Sequence, residues 1–144
     1  MMNGPSLSGA RWYWLFAAWA ISLIATFSAL FLSEVMGLIP CEHCWHQRIV
    51  MSPLVGISGV GLASSDVGVF KYALPLVVLG WLLSVYHNLL YIGFIPEALQ
   101  PCGAGPSCAK ADLNLLGFIS IPLLSFSAFT ALAIILVTKI GRKK

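Results

Sequence analysis

Four cysteines are the residues of this sequence with the clearest potential for chemistry. Cys41 and Cys44 are separated by two residues in CEHCWHQR, and Cys102 and Cys108 occupy the later stretch PCGAGPSC. A C-x-x-C pair at the start of a helix often has an acidic first thiol, because the helix dipole stabilises a thiolate. Since Pro40 precedes the motif and an apolar helix is predicted after it, we interpret Cys41 and Cys44 as a reactive pair.

Four cysteines allow three pairings, and proximity in the chain favours Cys41–Cys44 and Cys102–Cys108. Three interpretations compete: a zinc site made of all the thiolates, a membrane scaffold with two structural disulfides, and a redox relay. The C-x5-C spacing of the second pair and an oxidising compartment disfavour zinc, so no bound metal is predicted. In the favoured relay, one pair exchanges disulfides with a soluble partner protein and the other passes the electrons on.

The elements that position these cysteines are long apolar blocks. The chain has 144 residues, of which 59% are hydrophobic and only 9% are charged, whereas roughly 25% are charged in a soluble domain. Each block approaches the ~20 residues that cross a bilayer as a helix. We predict an all-α membrane protein, a four-helix transmembrane bundle forming one domain over 1–144. The spans are predicted at about 12–32, 46–63, 70–95 and 113–137.

The first block is interpreted as a retained helix, because it is too long and too weakly flanked for a signal peptide. The second block is short and rich in Gly and Ser. If it did not cross the membrane, the two cysteine pairs would lie on opposite sides.

The basic residues orient the predicted bundle. Positive charge favours the cytoplasmic side, so both termini are predicted to be cytoplasmic. The outer loops, at about 33–44 and 96–112, then contain all four cysteines and face a compartment in which disulfides persist. The opposite side would hold six of the eight basic residues: Arg11, Lys71, Lys139, Arg142, Lys143 and Lys144.

Polar residues near the C-x-x-C pair are candidates to assist it. Arg48 lies four positions after Cys44, on the same face of a helix that begins near Cys44. Its guanidinium would favour a thiolate there and offer hydrogen-bond donors to a carbonyl oxygen; contact with lipid headgroups is the alternative. His43 is predicted to tune the redox potential of the pair as a cation, with Glu42 offsetting its charge.

A relay of disulfides needs a terminal acceptor for the electron pair. A dithiol at the bilayer edge is well placed to reduce a lipid-soluble acceptor such as a quinone, although no sequence motif specifies one. His87 and Asn88 form a polar pair in the third apolar block, and polar residues in such helices are functional candidates. His87 is predicted to hydrogen-bond to a quinone oxygen or to relay its proton; hydrogen bonding between helices is the alternative.

The chain resembles the DsbB family of disulfide bond formation proteins, and most of all its short BdbC-type branch. The resemblance covers nearly the whole chain and rests on CEHCWHQR, PCGAGPSCAK and GFISIPLLS. It implies a thiol:quinone oxidoreductase of the bacterial cytoplasmic membrane, which supports disulfide formation in exported proteins. The implied partners are a soluble thioredoxin-fold thiol oxidase similar to DsbA and a lipid quinone, either ubiquinone or menaquinone. No nucleic-acid partner is expected.

The resemblance also implies a role for each matching residue. Cys102 would be attacked by the thiolate of the partner protein, with Cys108 as its mate. Cys41 would accept the exchange from that second pair, Cys44 would face the quinone, and Arg48 would support the quinone or the thiolate. The net reaction would oxidise the dithiol of the partner and reduce quinone to quinol.

One departure from the family pattern concerns the second outer loop. The longer members have a larger loop with an amphipathic segment on the membrane, whereas about nineteen residues serve here. The vitamin K epoxide reductase family is an alternative resemblance, with a similar helical core and a quinone-like substrate. In that family the loop pair precedes the C-x-x-C, and here the C-x-x-C comes first.

Overall fold

A computed structural model describes residues 9–37, 39–66, 68–96, 114–115 and 119–140. Within these residues, two short strands pair antiparallel, with Asn114 opposite Ser120. Apart from this pair the regular structure is helical, which confirms the predicted all-α class with four helices. The elements are α1 (Gly9–Glu34), α2 (Glu42–Ser64), α3 (Val69–Tyr91), β1 (Asn114–Leu115), β2 (Ile119–Ser120) and α4 (Ile121–Ile140).

Local sequence explains both ends of α2 and the start of α4. Cys41 is the N-cap of α2 in an extended conformation, and Glu42 in the first turn complements the helix dipole. At the other end, Ser65 adopts a left-handed conformation with φ 54°, and its N–H donates to the Gly61 carbonyl. In α4, Pro122 occupies the first turn, where the missing N–H breaks no helical hydrogen bond. The apolar block at 113–137 therefore contributes its first described residues to the strands and the rest to the helix.

Short connections make α1 and α2, and likewise α2 and α3, antiparallel neighbours. Helix α2 packs between α1 and α3, and α4 packs against α3 and also contacts α1. All four helices contribute to one buried cluster, so the bundle is closed around a common core. Its members are Leu15, Ala18, Val50, Met51, Leu54, Phe70, Ala73, Val77, Phe129, Leu132, Ile135 and Leu136.

The outer faces of the bundle are also apolar. Large hydrophobic side chains such as Phe27, Val60 and Tyr72 remain mostly exposed; Val60, for example, is 65% exposed. Such a surface would be unfavourable in water and is expected where lipid surrounds the protein. Among the helices in the described ranges, α1, α3 and α4 are long and apolar enough to cross a membrane.

Helix α2 differs from its neighbours, because it is 23 residues long but less apolar, with Glu42, Arg48 and several glycines and serines. Residues at helical spacing along the whole of α2 are nevertheless buried, and the helix packs between α1 and α3. Its neighbours therefore cover three of its polar side chains, those of His43, Gln47 and Ser58. The buried positions are His43, Gln47, Val50, Met51, Leu54, Ser58 and Gly61.

Gly80 provides a test of the packing of α3 against α4. A Cβ atom at this buried position would overlap the ring of Phe129, which is itself buried. We expect Gly80→Ala to destabilise the protein by about 1–3 kcal/mol, since overpacking forces side chains and backbone to shift. The measurement is thermal unfolding in detergent.

Gly56→Ala is the matched control, because Gly56 is also helical and no heavy atom lies within 4 Å of the added Cβ. Its midpoint should stay the same or rise slightly, in line with the better helix propensity of alanine. Equal midpoints for Gly80→Ala and the unmodified chain would contradict the described contact.

Candidate functional site

The start of α2 and the end of α3 lie side by side and bring polar residues onto buried faces. On α2, His43 and Gln47 continue the stripe of core residues at helical spacing. On α3, Ser84 and His87 continue a stripe of the same kind. Cys41 immediately precedes α2, so its side chain reaches the same end of the bundle. The fold thus assembles a small polar cluster beside the C-x-x-C motif.

Cys41 and Cys44 are in direct contact. Their Sγ atoms lie 2.9 Å apart, which is longer than the S–S bond of a disulfide. Cys41 is only 3% exposed, whereas Cys44 is half-buried. The structure therefore shows the pair in its dithiol form, with the two sulfurs buried to different extents.

His87 contacts the buried sulfur. Its Nε2 lies 3.8 Å from Cys41 Sγ, and its Nδ1 lies 3.5 Å from Nε2 of Gln47. An amide nitrogen only donates, so Nδ1 accepts and the ring proton resides on Nε2, facing the sulfur. Gln47 therefore positions the imidazole so that its N–H is directed at Cys41.

Cys41 keeps its proton in this arrangement. The hydrogen bond with Cys44, together with burial, raises the pKa of Cys41 to about 12, against the opposing effect of His87. The expectation that the first thiol of the motif is acidic is therefore wrong for the reduced pair. Proton sharing and burial outweigh the helix N-terminus.

His43, which lies between the two cysteines in sequence, has a buried side chain. It is 7% exposed, and within the described ranges neither of its ring nitrogens has a hydrogen-bond partner. It lies ahead of 46–63, the part of α2 predicted to cross the membrane. Burial and, to a lesser extent, His46 lower the pKa of His43, while Glu42 opposes the shift. His43 is consequently neutral at neutral pH, and the expectation that it acts as a cation is wrong.

Arg48 connects α2 to the last turns of α1. Its Nη1 donates to Ser33 Oγ at 3.0 Å, and its Nη2 donates to the Ala29 carbonyl. The guanidinium carbon also lies 5.9 Å from the centre of the Trp45 ring. These contacts hold the side chain at the junction of α1 and α2, and they use only part of its donor set.

Asn88, which the sequence groups with His87, has structural partners. Its Nδ2 donates to the Ser84 carbonyl at 2.8 Å and to the Pro122 carbonyl at 2.9 Å. It therefore joins α3 to the start of α4. Of the two polar residues in the third apolar block, His87 contacts the dithiol and Asn88 joins α3 to α4.

The residues predicted for the site are only partly brought together in the described structure. Cys41, Cys44 and His87 form one group whose ligand atoms all lie within 4.8 Å of one another. Arg48 extends towards α1. Cys102 and Cys108 lie outside the described residues.

Gln47 is the contributor that sequence reasoning missed. Its spacing of four from His43 and three from Val50 was the available signal, because this spacing identifies a shared helix face. The group can undergo thiol–disulfide exchange at sulfur, with a histidine N–H beside one sulfur and a guanidinium on the same helix.

Comparisons with known proteins agree with this chemistry. Residues 10–138 match the family model described as "Disulfide bond formation protein DsbB". The chain is 47% identical over 134 residues to a "Probable disulfide formation protein" of Metapseudomonas resinovorans, covering 92% of this chain and 93% of the relative. It is 39% identical over 135 residues to "Disulfide bond formation protein C" of Bacillus subtilis (strain 168), covering 92% and 96%. A search of solved structures found no match.

The protonation of the pair predicts which thiol reacts first. In reduced protein treated with limiting iodoacetamide at pH 7, we expect Cys44 to be alkylated at least about tenfold faster than Cys41, since the thiolate is the nucleophile and Cys41 keeps its proton. The Cys41 rate should rise about tenfold per pH unit while the pH remains below its pKa of about 12. Peptide mass spectrometry locates the label.

The same labelling in SDS-unfolded protein serves as the control, because unfolding removes the burial of Cys41 and its fixed hydrogen bond with Cys44, which raise its pKa. The two thiols should then react at similar rates. Preferential labelling of Cys41 in folded protein at pH 7 would contradict the assigned protonation.

Proposed function

Because the chain belongs to the DsbB family of disulfide bond formation proteins, we propose that it is a membrane thiol:quinone oxidoreductase that reoxidises a soluble thioredoxin-fold thiol oxidase of the DsbA type. The observation that carries this proposal is the reduced Cys41–Cys44 pair beside His87 at one end of an apolar bundle. The net reaction converts a partner dithiol and a quinone into a partner disulfide and a quinol, so an electron pair and two protons are transferred.

The first half of the reaction takes place in the second outer loop. Following the family pattern, a partner thiolate attacks Cys102, forms a mixed disulfide and releases Cys108. The second partner thiol then resolves that bond, which leaves Cys102 and Cys108 reduced. These assignments rest on the family match, since the loop lies outside the described residues.

The second exchange transfers the electrons to the buried pair. A thiolate of the loop pair attacks Cys41 in the Cys41–Cys44 disulfide, and Cys44 leaves as the thiolate. The other loop thiol then attacks its own partner sulfur in the mixed disulfide, which restores the loop disulfide and releases Cys41. The electrostatics of the site support this order, because Cys41 is the sulfur that keeps a proton once the pair is reduced. The N–H of His87, directed at the Cys41 sulfur, would stabilise charge on that atom while its bond breaks or forms.

The donor set of this chain fits a quinone. Cys44 and Arg48 are the half-buried members of the site, and the guanidinium is suited to donate to a carbonyl oxygen. A quinone, ubiquinone or menaquinone, would supply the acceptor for the electron pair and the two protons. We place it against Cys44 and Arg48; His87 is fully buried and acts through Cys41.

The same topology supports the membrane arrangement. In an antiparallel bundle, Arg11 near the start of α1 and Lys71 near the start of α3 lie at the end opposite Cys41. We infer that α2 also crosses, that this basic end and both termini face the cytoplasm, and that the cysteines face outward. Since the relatives are bacterial proteins, the membrane would be the cytoplasmic membrane of a bacterium.

A membrane scaffold with two inert disulfides is the competing interpretation. An assay of turnover distinguishes it from the enzyme. Purified protein mixed with a reduced thioredoxin-fold oxidase and a soluble quinone should consume the quinone, measured by its ultraviolet absorbance. Cys44→Ser should abolish turnover, because the sulfur that faces the quinone is removed. Cys102→Ala should prevent the mixed disulfide with the partner. Absence of quinone consumption by the unmodified protein would rule out the enzyme.

Arg48 can be tested against its own structural contact. If it binds quinone, Arg48→Ala should raise the KM for quinone by about tenfold or more, the loss expected for a hydrogen bond to a charged donor. Ser33→Ala removes one α1 partner of Arg48 while keeping the guanidinium, so its KM should change much less. Equal KM values in the two variants would show that Arg48 only ties the helices together.

A further inference from the structure

We propose that the reduced site binds one thiophilic divalent cation, of which Zn²⁺ is the representative, through Cys41, Cys44 and His87. The sequence predicts no resident metal, and this ion would not be one. It would bind only while the pair is reduced, because both sulfur ligands are consumed when the disulfide forms. The binding stands on geometry alone, whereas its inhibitory effect rests on the proposed function.

The distances are close to those of a tetrahedral site. Zinc bonds of about 2.3 Å to sulfur and about 2.05 Å to nitrogen place two sulfurs about 3.8 Å apart and a sulfur and a nitrogen about 3.6 Å apart. Here Cys41 Sγ lies 3.8 Å from His87 Nε2, so this pair of ligands is already in place. The two sulfurs lie 2.9 Å apart and must separate by about 0.9 Å. Cys44, the half-buried residue, is the one to move.

Charge and ligand type select the ion. Two thiolates neutralise a divalent cation, and a neutral imidazole adds no charge, so the assembly can be buried without a net charge. Thiolate and imidazole ligands suit zinc and related metals, whereas Mg²⁺ and Ca²⁺ require oxygen ligands. The composition therefore favours a thiophilic cation over the more abundant hard ones.

Gln47 can support either state of His87. To ligate through Nε2, the imidazole must carry its proton on Nδ1, which faces the Gln47 amide. Rotation of the amide presents its carbonyl oxygen to that N–H, since glutamine offers both a donor and an acceptor. The residue that directs the Nε2 proton at sulfur in the free dithiol would thus orient the ring in the metal complex.

His43 is a second, independent indication of a ligand at this place. It is more than nine-tenths buried, and in the described part of the chain both ring nitrogens lack a hydrogen-bond partner. Its ring centre lies 5.8 Å from that of His87. An unpartnered buried imidazole is unfavourable.

Binding of the ion and oxidation of the dithiol exclude each other. The same two sulfur atoms either coordinate the cation or bond to one another. A thiophilic cation would therefore hold the pair reduced and prevent electrons from leaving through Cys44. Oxidation before exposure to the ion would protect the protein.

Cobalt(II) is a suitable probe, because tetrahedral thiolate coordination gives visible ligand-field bands and a near-ultraviolet sulfur-to-metal band. The full chain carrying Cys102→Ser and Cys108→Ser restricts thiolate coordination to Cys41 and Cys44. After reduction and removal of the reductant, it should bind one Co²⁺ per chain with both absorption features, and Zn²⁺ should displace it. The oxidised protein should show neither feature.

His87→Ala should weaken Co²⁺ binding by at least about tenfold. His46→Ala is the matched control, because His46 is an exposed histidine on α2, the helix of Cys44, and contacts the Glu42 carbonyl. A further variant, Cys44→Ser, should lower the sulfur-to-metal absorption, which gives a readout if His87→Ala fails to fold. Equal affinity in the two histidine variants, or a thiolate spectrum retained after oxidation, would overturn the proposal.

Turnover with the partner and quinone, measured with and without Zn²⁺, separates this inference from the proposed function. Loss of the cobalt spectrum in a protein that still reduces quinone would reject the metal site alone. A normal cobalt spectrum in a protein that never reduces quinone would reject the enzyme and leave the metal site supported.

Discussion

The contact between the Cys41 sulfur and Nε2 of His87 depends on α2 beginning where α3 ends. The two residues are 46 positions apart in sequence, and only an antiparallel arrangement of α2 and α3 brings them within 3.8 Å. The extended N-cap conformation of Cys41 places its side chain at that end of the bundle. The contact places the imidazole beside the buried sulfur, where it lowers the pKa of Cys41 against the larger opposing effects of Cys44 and burial.

Small residues allow the helices to lie close enough for this contact. Gly61 on α2 faces Val69, and Gly80 on α3 faces Phe129 of α4, with no space for a side chain at either glycine. Close approach through small residues is typical of helices packed within membranes, where lipid gives no hydrophobic drive for helix association. The close packing also shields α2, which carries the polar residues of the site and is the least apolar of the four helices.

Much of the fold could be predicted from sequence, because apolar length and spacing are local properties. The four blocks predict the four helices, and the C-x-x-C motif correctly predicts a pair at the start of α2.

What could not be predicted depends on the tertiary arrangement. The proton on Cys41 comes from the proximity of Cys44 and from burial, and the neutral state of His43 comes from burial beside α3. The bonds from Arg48 to Ser33 and Ala29 require the geometry of the α1–α2 junction. Cys102 and Cys108 were identified by spacing and by family resemblance, and they remain predictions.

The bond between Asn88 and the Pro122 carbonyl has a mechanical consequence for the bundle. Pro122 lies in the first turn of α4, and Asn88 is adjacent to His87 in sequence. The start of α4 is therefore tethered to the helical turn that holds the imidazole. Because the same amide also donates to the Ser84 carbonyl, the tether is braced within α3, and the position of the imidazole beside the buried sulfur is coupled to the first turn of α4.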